Sequence, residues 1–189
     1  GLVVLDLFSK WLQAYPANSK CAEDTRRGLY KFMGPQKTPD LVYSDNSLEI
    51  KKAVKILGWD DRHTTSTPHR PETNGIIESH VGIVKHGTTS LLVQSGLDTS
   101  WWAEAMECFC MSHNCLDVGP DGKTPHFRRF NEQYEGPKFA FGCALKYKPS
   151  SPVVEGQMHP FGSKMLPGLF LGFHIKPGGI WSKDVFVID

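Results

Sequence analysis

Two acidic residues stand where a folded chain presents chemistry. Asp45 closes the extended run Leu41-Val42-Tyr43-Ser44, and Glu78 falls one turn into a helical stripe that follows a proline-rich loop. In α/β sheets, ligands sit in the crevice beyond the carboxyl ends of strands, so a carboxylate there faces substrate rather than core. Two such carboxylates brought together form a hard oxygen set suited to Mg²⁺ or Mn²⁺. Position alone leaves a second reading open, because an Asp at a strand end also forms turns and caps helices. Lys85 lies seven residues after Glu78. That is almost two helical turns, so Lys85 shares the face of Glu78, where it can grip a phosphate or simply be solvated. His69, Arg70 and Asn74 occupy the loop before the helix, and each can hydrogen-bond to phosphate or base.

The elements that position these groups can be read from periodicity. Leu2 to Phe8 is apolar and β-branched, and an extended pattern resumes at Trp11 to Tyr15, which predicts an antiparallel hairpin. Ser19 is placed to cap a helix with Glu23 and Asp24 in its first turn, and Gly34-Pro35 stops it. After the strand at 41–44, Ile50, Ala53, Val54 and Leu57 follow helical spacing up to Gly58. A short extended stretch, Thr64 to Thr67, enters the loop Pro68-His69-Arg70-Pro71. Beyond it, Ile77, Val81, Val84, Thr88 and Leu91 make one helix, and Trp102, Ala105, Met106, Phe109 and Leu116 make a second, capped by Thr99 or Ser100. This order predicts an α/β class. Gly119-Pro120-Asp121-Gly122 marks a boundary, giving a core at 1–118, a linker at 119–137 and a small β module at 138–189. The module's strands are expected at Phe139 to Tyr147, Gly168 to His174 and Val185 to Ile188.

Composition excludes several classes. With 189 residues and 40% hydrophobic content, the chain can bury a full core and a satellite. No run approaches the roughly 18 apolar residues of a membrane span. A net charge of +1 means that any nucleic-acid contact must be local. Five Cys with no CxxC pair argue against a disulfide framework and a ribbon-type zinc site. Cys108, Cys110, His113 and Cys115 are close in sequence, but on a helix positions two apart point in nearly opposite directions.

The run SDNSLEI at 44–50, followed by STPHRPETNGIIESHV at 66–81, resembles the catalytic core of retroviral and retrotransposon integrases. SWWAEAM at 100–106, GKTPHFRRF at 122–130, FGCALKY at 141–147 and GLFLGF at 168–173 look like the copia-type branch. The resemblance implies a ribonuclease H-like core, a mixed sheet flanked by helices, followed by an SH3-like β module. It further implies DNA integration by two-metal phosphoryl transfer, with Asp45 and Glu78 as catalytic metal ligands for Mg²⁺ or Mn²⁺. His69, Arg70, Asn74 and Lys85 would hold the transposon-end DNA. Homo-oligomers on transposon and target DNA, no membrane, and a nuclear or virus-like-particle location are implied in the same way.

The family carries a further carboxylate on its opening strand. Asp6 is the one candidate, yet LDLFSKWLQAYP is similar to the family's second strand, and only 38 residues separate Asp6 from Asp45. The expectation is therefore that Asp6 orients the Ser9-Lys10 turn, that the first ligand and first strand precede Gly1, and that this chain alone is inactive. Ser47 and Ile50 stand where Gly and Phe are usual, and the interval from Asp45 to Glu78 is slightly shorter than the retroviral one. Two alternatives stay open: a ribonuclease H-like nuclease, and a non-catalytic DNA-binding or oligomerisation remnant of a transposon.

Overall fold

Strands β1 (Leu2–Leu5) and β2 (Leu12–Tyr15) pair antiparallel, from Leu2↔Tyr15 to Leu5↔Leu12. The computed structural model describes residues 1–66, 75–149, 156 and 159–189. Asp6 holds the intervening turn. Its Oδ1 accepts from the Phe8 amide at 3.0 Å and its Oδ2 from the Ser9 hydroxyl at 2.6 Å, while Lys10 takes φ 63°. The carboxylate is thus engaged by the turn, as the sequence reading holds.

Period-two alternation sends the hairpin's side chains to two helix layers. Leu2 and Val4 pack with Leu29, Ala53, Val54 and Trp59 beneath α1 (Ala22–Met33) and α2 (Leu48–Ile56). Val3 and Leu5 pack with Leu12, Ala14, Val84 and Cys110 against α3 (Gly75–Ser95) and α4 (Trp102–Leu116). Helix α1 begins later than Ser19 predicts: Cys21 is the N-cap, its Sγ accepting from the Asp24 amide at 3.4 Å, and Ser19 instead bonds the Asp24 carboxylate. Gly58 ends α2 at φ 70°, a left-handed conformation that glycine adopts without steric cost. A short 3₁₀ turn, Thr99–Trp101, precedes α4, and its cap is Asp98 rather than Thr99 or Ser100, with Asp98 Oδ1 accepting from the Ser100 amide.

Strands β3 (Val42–Ser44) and β4 (His63–Thr65) pair parallel, Val42↔His63 through Ser44↔Thr65. Among the described residues they do not hydrogen-bond to the hairpin, so the sheet stands in two halves spanned by α1 and α2. The hairpin bond from Asp6 N to Trp11 O sets the parity of the ladder: Leu12 and Ala14 turn their amide and carbonyl groups outward on the β2 side, Val3 and Leu5 on the β1 side. Helix α4 covers the β2 edge. Asn114 Oδ1 accepts from Leu12 N at 2.8 Å and Asn114 Nδ2 donates to Leu12 O at 2.7 Å, while the Cys110 thiol meets the Ala14 backbone.

A second sheet, β5 (Ala144–Tyr147), β6 (Leu166–Lys176) and β7 (Ile180–Ile188), is an antiparallel meander whose central strand bends through two register shifts. Its first strand starts later than Phe139, and the other two run longer than the sequence pattern predicts. Phe170, Leu171 and Phe173 share one core with Trp11, Phe32, Ala105, Cys108 and Met111, so the meander and the α/β layers bury a common interior. Within 119–137 lies an unforeseen short helix, α5 (Pro125–Phe130), capped by Thr124 Oγ1, which accepts from the Phe127 amide. The C-terminus of α1 meets the β6–β7 turn backbone to backbone. A Cβ added at Gly34, where φ is +83°, would lie 2.9 Å from Gly178 Cα, and Gly178 N donates to Lys31 O at 2.7 Å. Gly34→Ala should therefore cost about 2 kcal/mol in a urea unfolding titration; an unchanged midpoint would mean that the two turns can separate freely. Among the described residues, no helix is long and apolar enough to cross a membrane.

Candidate functional site

Because β3 and β4 run parallel, their carboxyl ends open on one edge. Asp45 follows β3 directly, and Ser66 follows β4, with Ser66 N donating to Ser44 O at 2.8 Å and Asn46 Nδ2 donating to Ser66 O at 3.2 Å. Asp45 is exposed. Its Oδ1 accepts from the Ser47 amide at 3.1 Å, an Asx turn that leads into α2, and its carbonyl accepts from the Ser44 hydroxyl at 2.8 Å. So Asp45 both opens the helix and projects a carboxylate at the strand end, joining the two readings its position allows. Among the described residues, Ser47 Oγ is buried without a hydrogen-bond partner. It lines, with Asp45, a cleft of ≈ 280 Å³.

The cleft contains groups to which the sequence reading gave no part in a site: Asp24, Arg27 and Lys31 from α1, Glu49 from α2 and Glu107 from α4. Burial pushes the Glu107 carboxyl above the ordinary range, and nearby Lys31 opposes the shift. A signal for the α1 stripe was present, since residues 24, 27 and 31 fall on one helical face. Glu107 had no such signal, sitting among the apolar residues of α4.

Glu78 and Lys85 are both exposed on α3, and neither lines the cleft. The strand end and the start of α3 lie on one chain path, Ser66 to Gly75, which passes through 67–74. His69, Arg70 and Asn74 fall there, outside the described residues. Among the described residues, no three His, Cys, Asp or Glu side chains are arranged to hold a metal ion. The donor chemistry of Asp45 and Glu78, exposed carboxylate oxygen, nonetheless fits a hard divalent cation. The cysteines do not form an alternative centre. Cys108 and Cys115 lie in one core and Cys110 in another, burial pushes all three thiols up to about 12, and His113 pairs with Asp117 at 2.6 Å.

No protein-family model matches the sequence, and no curated protein matches it. Solved structures do match the fold. The catalytic core domain of BIV integrase aligns with a TM-score of 0.50 at 22% identity, over 66% of this chain and 80% of that one. The HTLV-2 integrase catalytic core domain in complex with magnesium, in a trimeric form, aligns with a TM-score of 0.51 at 21% identity, over the same shares of 66% and 80%. A simian T-cell lymphotropic virus intasome in complex with PP2A regulatory subunit B56 gamma aligns with a TM-score of 0.56 at 19% identity, over 98% of this chain and 68% of that one. The fold is integrase-like.

Proposed function

We propose that the chain is part of a DNA-integrating polynucleotidyl transferase of the copia-type retrotransposon branch, with its β module in the role of an SH3-like barrel. The observation that carries this reading is Asp45 at the open carboxyl end of a parallel strand pair in an integrase-like fold. Asp45 and Glu78 would hold Mg²⁺ or Mn²⁺; when bound, such ions activate a water or a 3′-hydroxyl and stabilise the leaving oxygen. Lys85, on the exposed face of α3, grips a phosphate, and His69, Arg70 and Asn74 hold the DNA end. The partners are transposon and target DNA and further copies of the chain, a reading supported by the trimeric form of the HTLV-2 core named above, in a nucleus or a virus-like particle.

Two carboxylates are fewer than a two-metal site needs. Asp6 is committed to its turn, and among the described residues no third carboxylate joins Asp45 and Glu78 in a metal-holding group. The chain by itself then has very low turnover, since losing charge stabilisation on the order of several kcal/mol slows phosphoryl transfer by roughly two to four powers of ten. A second reading, a non-catalytic DNA-binding or oligomerisation remnant, is favoured by the placement of Glu78 outside the cleft that holds Asp45.

Calorimetric titration with Mn²⁺ separates the two. Weak binding by the unaltered chain, lost in both Asp45→Asn and Glu78→Gln, is the expected result. Absence of binding in every form would sink the metal site and leave the remnant reading.

A further inference from the structure

The segment around Asp45 contains a polar chain that the sequence motif does not account for. His63 opens β4 and pairs in register with Val42, so its ring reaches diagonally to the next inward position of β3, where its Nε2 lies 2.9 Å from Ser44 Oγ. Ser44 Oγ is in turn 2.8 Å from the Asp45 carbonyl oxygen, which can only accept. A serine hydroxyl has one proton. If that proton goes to the Asp45 carbonyl, the imidazole must be the donor to Ser44 Oγ, which fixes its tautomer as Nε2–H.

We propose that His63 is a positioning residue for Asp45: its Nε2–H donates to Ser44 Oγ, and the hydroxyl passes the constraint to the Asp45 backbone. The relay holds the peptide from one side, while the Ser47 amide holds the carboxylate from the other through Oδ1. Asn46 Nδ2 and Ser66 N tie the same segment to the end of β4. Asp45 is exposed, so among the described residues packing does not fix its direction, and these hydrogen bonds aim it. A neutral ring suits the donor role. Burial holds the His63 imidazole below its ordinary range, assisted by Lys51 and opposed by Asp60. The inference deepens the metal-site reading and rests on it only for the affinity arm of the test.

Three measurements on the full chain decide it. Imidazole ¹⁵N shifts in metal-free protein should report the Nε2–H tautomer for His63; the Nδ1–H tautomer would overturn the relay. Hydrogen exchange at the Ser47 amide should accelerate in His63→Leu and Ser44→Ala and stay near wild type in His63→Gln and Ser44→Thr, which keep a donor and a hydroxyl. Equal exchange in all four variants overturns the proposal. Mn²⁺ affinity should fall about tenfold or more in His63→Leu and Ser44→Ala, as for groups that orient metal ligands, and recover in His63→Gln. Should the unaltered chain bind no Mn²⁺ while the tautomer and exchange results hold, the metal reading fails and the positioning of Asp45 stands.

Discussion

Arg129→Ala is expected to lower the unfolding free energy by about 3–5 kcal/mol, the loss that follows when a buried charged network is broken from one side. The guanidinium stands where three parts of the molecule meet. It donates to Phe32 O at the end of α1 at 2.6 Å and to Gly178 O in the β6–β7 turn at 3.3 Å, and it lies 4.8 Å from the Phe32 ring and 5.3 Å from the Trp11 ring. Its side chain is only 13% exposed, and burial lowers its proton affinity, which Asp6 at 3.9 Å offsets in part. The Asp6 ion pair is the smallest part of the effect, being long and partly solvated. The two carbonyl bonds and the volume between the rings carry most of it. Arg129→Lys should recover less than half, because a point-charge ammonium lacks the planar face that packs on the Phe32 and Trp11 rings and fills less of the volume between them. Urea unfolding with an unchanged slope reads the difference; a loss under about 1 kcal/mol would mean that water replaces the guanidinium freely.

Asn114→Leu should be comparably damaging although it places an apolar side chain of similar shape in a fully buried site. Leu12 has no exposed surface, and both its amide and its carbonyl end on the Asn114 side chain. Leucine leaves two buried backbone groups unpaired, at about 1–3 kcal/mol each, against a smaller gain from burying more carbon. The expected loss is about 2–6 kcal/mol in chemical denaturation. A neutral or stabilising result would show that β2 shifts to find other partners, and amide exchange at Leu12 would reveal it.

What could be read from the residues was local. The spacing of Ile50, Ala53, Val54 and Leu57 and the stop at Gly58 define α2 because an amphipathic stripe and a left-handed glycine act within a few residues. The place of Asp45 was legible for the same reason, at the junction of a short extended run and a helix. Helix α5 was missed because six residues are too few to show a period, although Thr124-Pro125 is a cap followed by a proline in the first turn. Its neighbouring glycine-rich loop dominated the reading. Of the groups that share the cleft with Asp45, Arg27 and Lys31 were legible only as one face of α1 and Glu107 not at all, because only the tertiary fold brings α1 and α4 to the end of β3. Nor was His63, which resembles any polar residue entering a strand until the parallel register sets it beside Ser44.

The shared core of Trp11, Phe32 and Phe170 also governs the order of events during synthesis. The hairpin emerges well before its packing partners: Leu12 waits for Asn114, and Trp11 waits for α5 and the β6–β7 hairpin. Such distant pairings form late and slowly. Nascent chains stalled before residue 170 should therefore expose an apolar hairpin with no interior to enter, a substrate for chaperones, and acquire protease resistance in one step only when β6 and β7 have cleared the exit tunnel.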